Sequence, residues 1–275
     1  MTVTWTHDAL HRFYARPTDQ QLADPAWEGA HAALLRGLED GSIRAAARGD
    51  DGVWRANAWV KEAILLGFRR TSIERIEATP APFHDKTAYP VRAFHADDRV
   101  RVVPGGTSVR RGAFVAPSVV IMPPAYINVG AYVAAGTMVD SHALVGSCAQ
   151  IGARVHLSAG AQIGGVLEPA GARPVVIEDD AFVGALAGVF EGVCVRERAV
   201  LAPGVILTGS TVIYDLVHDR EWRGEVPAGA VVVPGTRPAR GAAAERLGLA
   251  LACAVIVKVR DARTDAATAL EDALR

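Results

Sequence analysis

The sequence predicts a mainly β protein in which a parallel β-helix follows a small α-helical domain and precedes a short C-terminal capping segment. An aliphatic residue returns at every sixth position from Val109 to Ile213, with one interruption. A small or β-branched residue stands four places after most of them, as at Ala113, Thr137 and Ala181. A period of six is the signature of hexapeptide β-helices. Three hexads make one triangular coil, so residues eighteen apart should stack at about 4.8 Å.

The repeat also predicts which side chains form the core and where the coil bends. The aliphatic series is Val109, Val115, Ile121, Ile127, Val133, Val139, Val145, Ile151, Leu157, Ile163, Ile177, Val183, Val189, Val195, Leu201, Leu207 and Ile213. Each should point into the prism, where burial stabilises by about 1.5–3 kcal/mol per side chain. Asn128, Gly136, Gly152, Gly160 and Gly204 are expected at corners, which demand unusual backbone angles.

One interruption predicts a loop that leaves the coil. Ile163 and Ile177 are fourteen residues apart where six are expected, so eight extra residues must be extruded. The β-helix is therefore assigned to residues 101–235, with an extruded loop over 164–176. Loops on rigid scaffolds are frequent places for function.

The region before the repeats, residues 1–100, is predicted to be a helical domain followed by a connector. Helical spacing is expected from about Asp24 to a stop at Gly41, and again from Ala56 to Phe68. Turn residues around Gly52 predict a hairpin between these helices. Trp54 and Trp59 are expected in the core of this domain rather than in a ligand site. Pro80, Pro82 and Pro90 make long secondary structure improbable between residues 71 and 100.

The end of the chain is predicted to close the coil. The hexad phase is lost over 214–225, where a hairpin is expected with its turn near Asp219. One last hexad follows at Val226 and Val232. Residues 236–275 form the predicted cap, with a strand over Cys253–Val259 and a helix over Thr264–Leu274. A coil end exposes unpaired strand edges, so a cap is expected on physical grounds.

Composition bounds the class of protein. Half of the 275 residues are hydrophobic and the net charge is −1, as in a soluble globular chain. No basic stripe indicates a nucleic-acid partner. The N-terminus has no signal-peptide pattern, and the longest apolar tract, Leu247–Val257, is too short to span a bilayer. Cys148, Cys194 and Cys253 lack metal-type spacing and are expected as buried thiols of a cytoplasmic protein.

The amino-acid sequence of the repeats resembles that of one enzyme family. The matching runs are Val102-Val103-Pro104, Asn128-Val129-Gly130-Ala131-Tyr132-Val133, Gly136-Thr137-Met138-Val139-Asp140, Ile163-Gly164-Gly165-Val166-Leu167-Glu168-Pro169, Ile213-Tyr214-Asp215, Val226-Pro227-Ala228-Gly229 and Cys253-Ala254-Val255-Ile256-Val257-Lys258. The similarity extends back to Gly41-Ser42-Ile43-Arg44, Trp59-Val60-Lys61 and Leu65-Leu66-Gly67-Phe68-Arg69. The chain resembles the tetrahydrodipicolinate N-succinyltransferases over nearly its whole length.

The resemblance implies a homotrimer of left-handed β-helices that uses a coenzyme A thioester, with no metal, to acylate a small molecule. The acceptor would be the nitrogen of a cyclic imine dicarboxylate in lysine and diaminopimelate biosynthesis. By family match Arg101 and Asp140 bind substrate, and Asp140 is also catalytic as the proton acceptor. Gly164, Gly165 and Lys258 would bind the coenzyme in a groove between neighbouring prisms, under the extruded loop.

Each matched residue also has a simpler interpretation. Asp140 follows an inward aliphatic, so it faces outward and could be merely solvated. Arg101 at the prism entrance could only pair with an acid. His142 stands where the family usually has tryptophan, and it could be a surface residue or help to handle a proton.

The chain departs from the family in one run. The family's usual Arg-Ser-Glu is replaced by Leu186, Ala187 and Gly188. Leu186 and Ala187 would present apolar surface where an arginine could meet a carboxylate, which suits an acetyl group better than a succinyl group. An acetyl-CoA-using paralogue of a specialised pathway, such as tabtoxin biosynthesis, is therefore an alternative, although Arg173 on the loop could supply the missing cation.

Two other classes of protein can have a hexapeptide prism. A γ-class carbonic anhydrase needs three histidines that converge on zinc, but His142 and His156 occupy different positions of their hexads and the coil has no third histidine. A trimeric scaffold without catalysis would explain the missing Arg-Ser-Glu run, but it would have no reason to keep Asp140, Arg101 and the glycine pair.

Overall fold

The computed structural model describes residues 4–77 and 82–268. Within the first range, helices and one hairpin form an N-terminal domain with its own core. The helices are α1 (His7–Tyr14), α2 (Thr18–Ala23), α3 (Trp27–Glu39) and α4 (Ala58–Arg70), and the hairpin strands are β1 (Ala46–Arg48) and β2 (Trp54–Ala56). Helix α3 buries Ala30, Leu34 and Leu38, each at most 2% exposed, because a spacing of four places them on one helical face. The two predicted helices and the predicted hairpin are confirmed, with ends shifted by a few residues.

The connector contains more structure than the prolines suggest. Strands β3 (Ile73–Ile76) and β4 (Phe83–Lys86) pair antiparallel, and Ala96–Asp98 forms a 3₁₀ helix. Pro82 stands just before β4 and Pro90 follows it. Both prolines therefore lie outside the strands and do not interrupt their hydrogen bonds. Pro80 lies outside the described residues. Tyr89 is fully buried, and its hydroxyl donates to the Ile64 carbonyl oxygen at 2.7 Å, which pins the connector to α4.

Short parallel strands then build a triangular prism. They are β5 (Arg101–Val102), β6 (Ser108–Val109), β7 (Phe114–Val115), β8 (Val120–Ile121), β9 (Tyr126–Ile127), β10 (Tyr132–Val133), β11 (Met138–Val139), β12 (Leu144–Val145), β13 (Gln150–Ile151), β14 (His156–Leu157), β15 (Gln162–Ile163), β16 (Val176–Ile177), β17 (Phe182–Val183), β18 (Gly188–Val189), β19 (Cys194–Val195), β20 (Val200–Leu201) and β21 (Ile206–Leu207). Tyr132 pairs with Phe114 and Gln150, eighteen residues away on each side, as the period predicts. The predicted aliphatic residues are at most 4% exposed and form one continuous core.

We name the three walls of the prism by their strands. The first face contains β5, β8, β11, β14, β17 and β20; the second contains β6, β9, β12, β15, β18 and β21; the third contains β7, β10, β13, β16 and β19. Gln150 pairs with Val176 rather than with a residue eighteen further on, so the eight extra residues leave the coil between the second and third faces. The predicted parallel β-helix with an extruded loop is confirmed.

The corners differ from the prediction in one respect. Positive φ angles recur at the third residue after an inward aliphatic, as at Gly136, Gly160 and Gly204. Asn128 and Gly152 stand one residue after an aliphatic and do not have positive φ, so their assignment to that role is wrong. Gly152 is required for space instead, since a Cβ there would lie 2.4 Å from the Asp179 Oδ1 atom.

The C-terminal elements close the prism. They are β22 (Ile213–Asp215), β23 (Arg220–Trp222), β24 (Glu225–Val226), β25 (Ala230–Pro238), α5 (Ala242–Leu247), β26 (Ala250–Val259) and α6 (Ala262–Thr268). Strand β24 extends the third face, and β25 extends the first face and pairs with β26. The hairpin β22–β23 forms as predicted, whereas α5 was not predicted and position 235 falls inside β25. The predicted last helix begins within α6, and its part beyond Thr268 lies outside the described residues.

Polar contacts dock the N-terminal domain on the third face. The Arg44 Nε and Nη2 atoms donate to Gln150 Oε1 at 3.0 and 2.9 Å, and the guanidinium lies 3.6 Å from the Tyr132 ring centroid. The Trp54 indole donates to Glu178 at 2.8 Å. Charge-assisted bonds of this kind are stronger than neutral ones, so the helical domain and the prism form a joined unit.

Membrane and thiol predictions can be compared with the structure. No helix within residues 4–77 and 82–268 has both the length and the apolar composition to cross a membrane. Cys148, Cys194 and Cys253 are free thiols and all are buried, as predicted. Burial raises the pKa of Cys148 and of Cys194 to about 12, which keeps both thiols protonated and unreactive.

Buried His31 makes stability depend on pH. Its ring stacks on Trp27, and burial lowers its pKa below the ordinary 6.5, with a further decrease from Arg111. The unfolded chain therefore binds the proton more readily, and stability falls as pH drops below 6.5 towards the folded-state pKa. We expect the unfolding midpoint of the wild type to fall from pH 7.5 to 5.5 by roughly 2–4 °C more than that of His31→Gln. Equal decreases in calorimetry would contradict this assignment.

Candidate active site

The extruded loop covers an opening beside the prism. Residues 164–175 leave the end of β15 and enclose a cavity of about 750 Å³. Its walls are Trp54, Gly164, Gly165, Val166, Glu168, Pro169, Ala172, Arg173, Phe190, Glu191 and Gly192. A cavity of this size is within the range of small-molecule sites. Two of the predicted coenzyme-binding residues, Gly164 and Gly165, therefore lie together in its wall.

The glycine pair is required by close backbone approach. A Cβ on Gly165 would lie 2.7 Å from the Ser147 nitrogen, and one on Gly146 would lie 2.2 Å from the Gly165 nitrogen. Both distances are below 3.0 Å, closer than a Cβ atom approaches atoms to which it is not bonded. The chain can therefore leave the coil here only if these positions have no side chain.

Phe190 forms an apolar floor that sequence reasoning missed. A Cβ on Gly164 would meet the ring at 2.6 Å, and one on Gly188 would meet it at 2.5 Å. The ring thus lies across the outward positions of both glycines. Gly188 is one of the residues that depart from the family pattern, and a longer side chain there would have to displace Phe190.

Two cations tie the loop to its surroundings. The Lys61 ammonium donates to the carbonyl oxygens of Pro169 and Ala172 at 3.1 and 2.7 Å. The Arg173 guanidinium donates to the carbonyl oxygens of Gly192 and Gly224 at 2.8 and 3.0 Å. Neither role was predicted. A lysine on the apolar face of α4 was the available signal for the first, because buried lysines require partners.

Trp54 was also misjudged. The tryptophan is half-buried, its indole bonds to Glu178 on the prism, and its ring lines the loop cavity. Its assignment to the core of the helical domain is therefore wrong. Trp59 does pack against that core, as predicted.

Asp140 lies at the opposite edge of the second face from the loop. It follows β11 at the corner between the first and second faces, half-buried, and Oδ1 accepts the Ser141 N–H at 2.7 Å. His142, two residues on, is exposed and has a φ of +62°. The glycine pair leaves the other edge of the same face, so one chain does not bring Asp140 and the cavity together.

Arg101 and Lys258 lie towards the two ends of the first face. Arg101 is in β5, two coils below the level of Asp140, or roughly 10 Å along the axis. Lys258 pairs with Val231 beyond the last coil strand, and its ammonium is 3.2 Å from Asp261. Topology therefore places Arg101 on the Asp140 side of the prism and keeps Lys258 apart from the glycine pair of the same chain.

Leu186 and Ala187, two of the residues that replace the family's Arg-Ser-Glu run, lie in different environments. Leu186 is 72% exposed at the same corner as His142, two coils higher, and it leans into the space beside Gly160. Ala187 is fully buried inside the prism, so the prediction that it presents apolar surface is wrong. The reason is its phase: it stands four places after Val183, at the small inward position of the hexad.

The described residues contain no cluster of histidines and acids suited to a metal ion. No group of three His, Cys, Asp or Glu side chains there could hold a metal ion. His156 stacks on Phe182 on the first face with ring centroids 5.0 Å apart, whereas His142 is at a corner.

Comparison with known proteins agrees with the fold. Residues 11–69 match the family model described as tetrahydrodipicolinate N-succinyltransferase N-terminal, and residues 174–209 match the hexapeptide repeat of succinyl-transferase. The 2,3,4,5-tetrahydropyridine-2,6-dicarboxylate N-succinyltransferase of Bradyrhizobium diazoefficiens is 48% identical over 88% of both chains. The proteins of that name from Rhodopseudomonas palustris (strain BisA53) and Bordetella pertussis are 48% and 50% identical, over 96% and 88% of this chain and 95% and 87% of theirs.

A solved structure supports the fold alone. A Campylobacter jejuni protein proposed to be a 2,3,4,5-tetrahydropyridine-2-carboxylate N-succinyltransferase superposes with a TM-score of 0.54 at 16% identity. The match covers 83% of this chain and 62% of that one. Together with the relatives above, these findings show that the chain belongs to the tetrahydrodipicolinate N-succinyltransferase family of hexapeptide-repeat acyltransferases.

The glycine requirement at the start of the loop can be tested with a matched pair. Gly165→Ala should lower the free energy of unfolding by about 1–3 kcal/mol, because the new methyl group overlaps the Ser147 backbone. Gly171→Ala on the same loop meets no atom within 4 Å, so we expect a change within about 0.5 kcal/mol. Denaturant unfolding measures both. Equal stability of the two variants would show that the close approach is not required.

Proposed function

We propose that the protein transfers the succinyl group of succinyl-CoA to the nitrogen of tetrahydrodipicolinate or a closely related cyclic dicarboxylate, in lysine and diaminopimelate biosynthesis. The observation that carries this proposal is identity of about half the residues to N-succinyltransferases over nearly the full length of both chains. The loop cavity and the outward carboxylate of Asp140 supply places for a thioester and for a proton acceptor.

Asp140 is proposed as the general base. As the acceptor nitrogen attacks the thioester carbonyl, a C–N bond forms, the C–S bond breaks and coenzyme A leaves with the electron pair of that bond. The nitrogen of a cyclic imine carries no proton, so water first adds across the C=N bond, with its hydroxyl on carbon and its hydrogen on nitrogen. During acylation the nitrogen loses that proton to the Asp140 carboxylate.

Arg101 is proposed to hold a carboxylate of the acceptor. A guanidinium binds a carboxylate through two parallel hydrogen bonds, which fixes orientation as well as affinity. Arg101 lies on the face that ends at the Asp140 corner, and a long side chain shortens the separation of two coils. An extended dicarboxylate could therefore reach both residues.

The coenzyme is proposed to lie along the groove that begins under the loop. Gly165 leaves backbone exposed to the pantetheine arm, buried Gly164 lines the cavity beside it, and Phe190 offers an apolar surface to the methylene groups of the arm. Lys258, near the C-terminal end of the prism, would meet a phosphate at the distal end of such an extended ligand. No metal is proposed for this chemistry.

We further propose that the active unit is a homotrimer of left-handed β-helices. Asp140 and the loop lie at opposite edges of the second face, so a complete site would need the corner of one chain and the loop of its neighbour. Repeating that contact around a threefold axis closes the assembly. Exposed apolar side chains such as Ile206, Leu216 and Leu251 support burial between copies.

Neither alternative function is favoured. Leu186 at the Asp140 corner is the observation that suits acetyl-CoA, and Arg173 cannot easily replace a lost cation there because it is already bonded to two carbonyl oxygens. The relatives that cover nearly the whole chain are nevertheless named succinyltransferases. The same identity, with a cavity present beside the prism, speaks against an inactive scaffold.

Donor preference tests the proposed function directly. We expect kcat/KM with succinyl-CoA to exceed that with acetyl-CoA by at least about tenfold, since selective sites separate related substrates by about 10–200-fold even through small differences in contact. Release of free coenzyme A thiol, measured with tetrahydrodipicolinate as acceptor, gives both values. A preference for acetyl-CoA would establish the alternative donor, and no thiol release with either would support the scaffold.

Replacement of Asp140 tests the base. Asp140→Asn should lower kcat by about 10²–10⁴-fold, because the amide cannot accept the proton. Stability should not change, since an asparagine oxygen can still accept the Ser141 N–H. Asp179→Asn is the matched control, because Asp179 also accepts a backbone N–H, from Ala153, at another corner.

The same variant tests the shared site. Inactive Asp140→Asn subunits mixed with impaired Gly165→Ala subunits should recover activity after subunit exchange, because some mixed sites would contain both intact halves. No recovery, together with full activity of an isolated monomer, would place the whole site in one chain.

A loss of less than about tenfold in Asp140→Asn would exclude Asp140 as the base and point to His142.

A further inference from the structure

Lys61 is a charged residue in the core of the N-terminal domain. It lies in α4 between Val60 and Ile64, and all three residues are 0% exposed. A buried ammonium is unfavourable unless its hydrogen atoms find acceptors. Its position therefore calls for a reason beyond the packing of the helix.

The acceptors of Lys61 come from the extruded loop. Nζ donates to the carbonyl oxygens of Pro169 and Ala172, and no carboxylate lies within ion-pair distance of it among the described residues. Burial lowers the pKa of Lys61, because removal from water disfavours the charged form. The buried charge and the loop therefore depend on each other: the loop solvates the ammonium, and the ammonium fixes the loop.

The fixed segment is also a wall of the cavity. Pro169 and Ala172 line it, and the Ala172 N–H closes a turn on the Pro169 carbonyl oxygen at 3.0 Å. Lys61 thus clamps the two ends of one turn. Leu167, just before this turn, packs against the core of the helical domain, which adds an apolar contact to the polar one.

We propose that Lys61 is a positioning residue that holds the extruded loop over the donor cavity, so that the N-terminal domain sets the affinity for coenzyme A. The donor part of this proposal rests on the proposed function. Lys61 touches no reacting atom in this role. Its loss should weaken binding of the coenzyme and leave the chemical step nearly unchanged.

Lys61→Met is the decisive variant, because methionine fills a similar volume and adds no buried polar group. Lys86→Met is the matched control: the Lys86 ammonium also donates to a backbone carbonyl, that of Thr71 at 2.5 Å, but away from the loop. If Lys61→Met does not fold, Lys61→Gln takes its place in the test. Its side chain keeps a donor but is too short to reach both carbonyl oxygens. Lys61→Arg retains several donors and should recover part of the wild-type behaviour.

Amide hydrogen exchange tests the clamp without any assumption about activity. Peptides covering residues 164–175 should exchange at least about tenfold faster in Lys61→Met, with peptides from α3 unchanged and with no effect in Lys86→Met. Unchanged loop exchange would overturn the proposal. Faster exchange throughout α3 and α4 would also overturn it, since Lys61 would then only stabilise the domain.

Binding of coenzyme A tests the consequence. Calorimetry should give a Kd at least about tenfold higher in Lys61→Met, and KM for the donor should rise while kcat stays within about threefold. A faster-exchanging loop with unchanged affinity would show that the loop does not position the donor. If the wild type itself does not bind coenzyme A, the proposed function and the donor role of Lys61 fail, while loop exchange still decides whether the clamp exists.

Discussion

Every sixth residue of the prism buries an aliphatic side chain, and the other features of the molecule follow from that requirement. Three such side chains fill each triangular section, and the sections stack to give a core without a gap from Val109 to Ile256. Because each strand is only two residues long, the backbone must turn after every inward residue. The turns force positive φ at the corners, even at His142 and Leu186, where a side chain makes that conformation unfavourable.

This rigid repeat makes its one interruption informative. A loop can leave the coil only where neighbouring backbones accept it, and Gly146 and Gly165 meet that requirement by having no side chains. Apart from Val166 and Val175, which pack with the prism core, the extruded residues lie outside the coil. Their shape is therefore supplied from outside the coil, by Lys61 and Leu167 on the side of the helical domain and by Arg173 on the side of the prism.

The prism also separates groups that the proposed chemistry has to combine. The outward side chains of one face all point in the same direction, and the two corners that bound the face lie on opposite sides of it. A carboxylate at one corner and a cavity at the other therefore cannot meet within one chain. Association of several prisms is the simplest geometry that joins them. The same separation would place catalysis at the contact between chains, while the helical domain of each chain shapes its own loop.

The period of six predicted the parallel β-helix and the bounds of most strands, because inward burial at every sixth residue and a register of eighteen both constrain the phase of a three-sided coil. The spacing of the aliphatic residues also located the loop. The resemblance to the family pointed to Asp140, Arg101 and the glycine pair. Ala187 could have been assigned from phase alone. The tertiary structure decided what depends on contacts between distant segments: the ring of Phe190 across Gly164 and Gly188, the indole of Trp54 at the cavity, and the buried ammonium of Lys61 on loop carbonyls. No local pattern encodes these contacts, since each one joins residues whose distance in space is set by the packing of the helical domain on the prism.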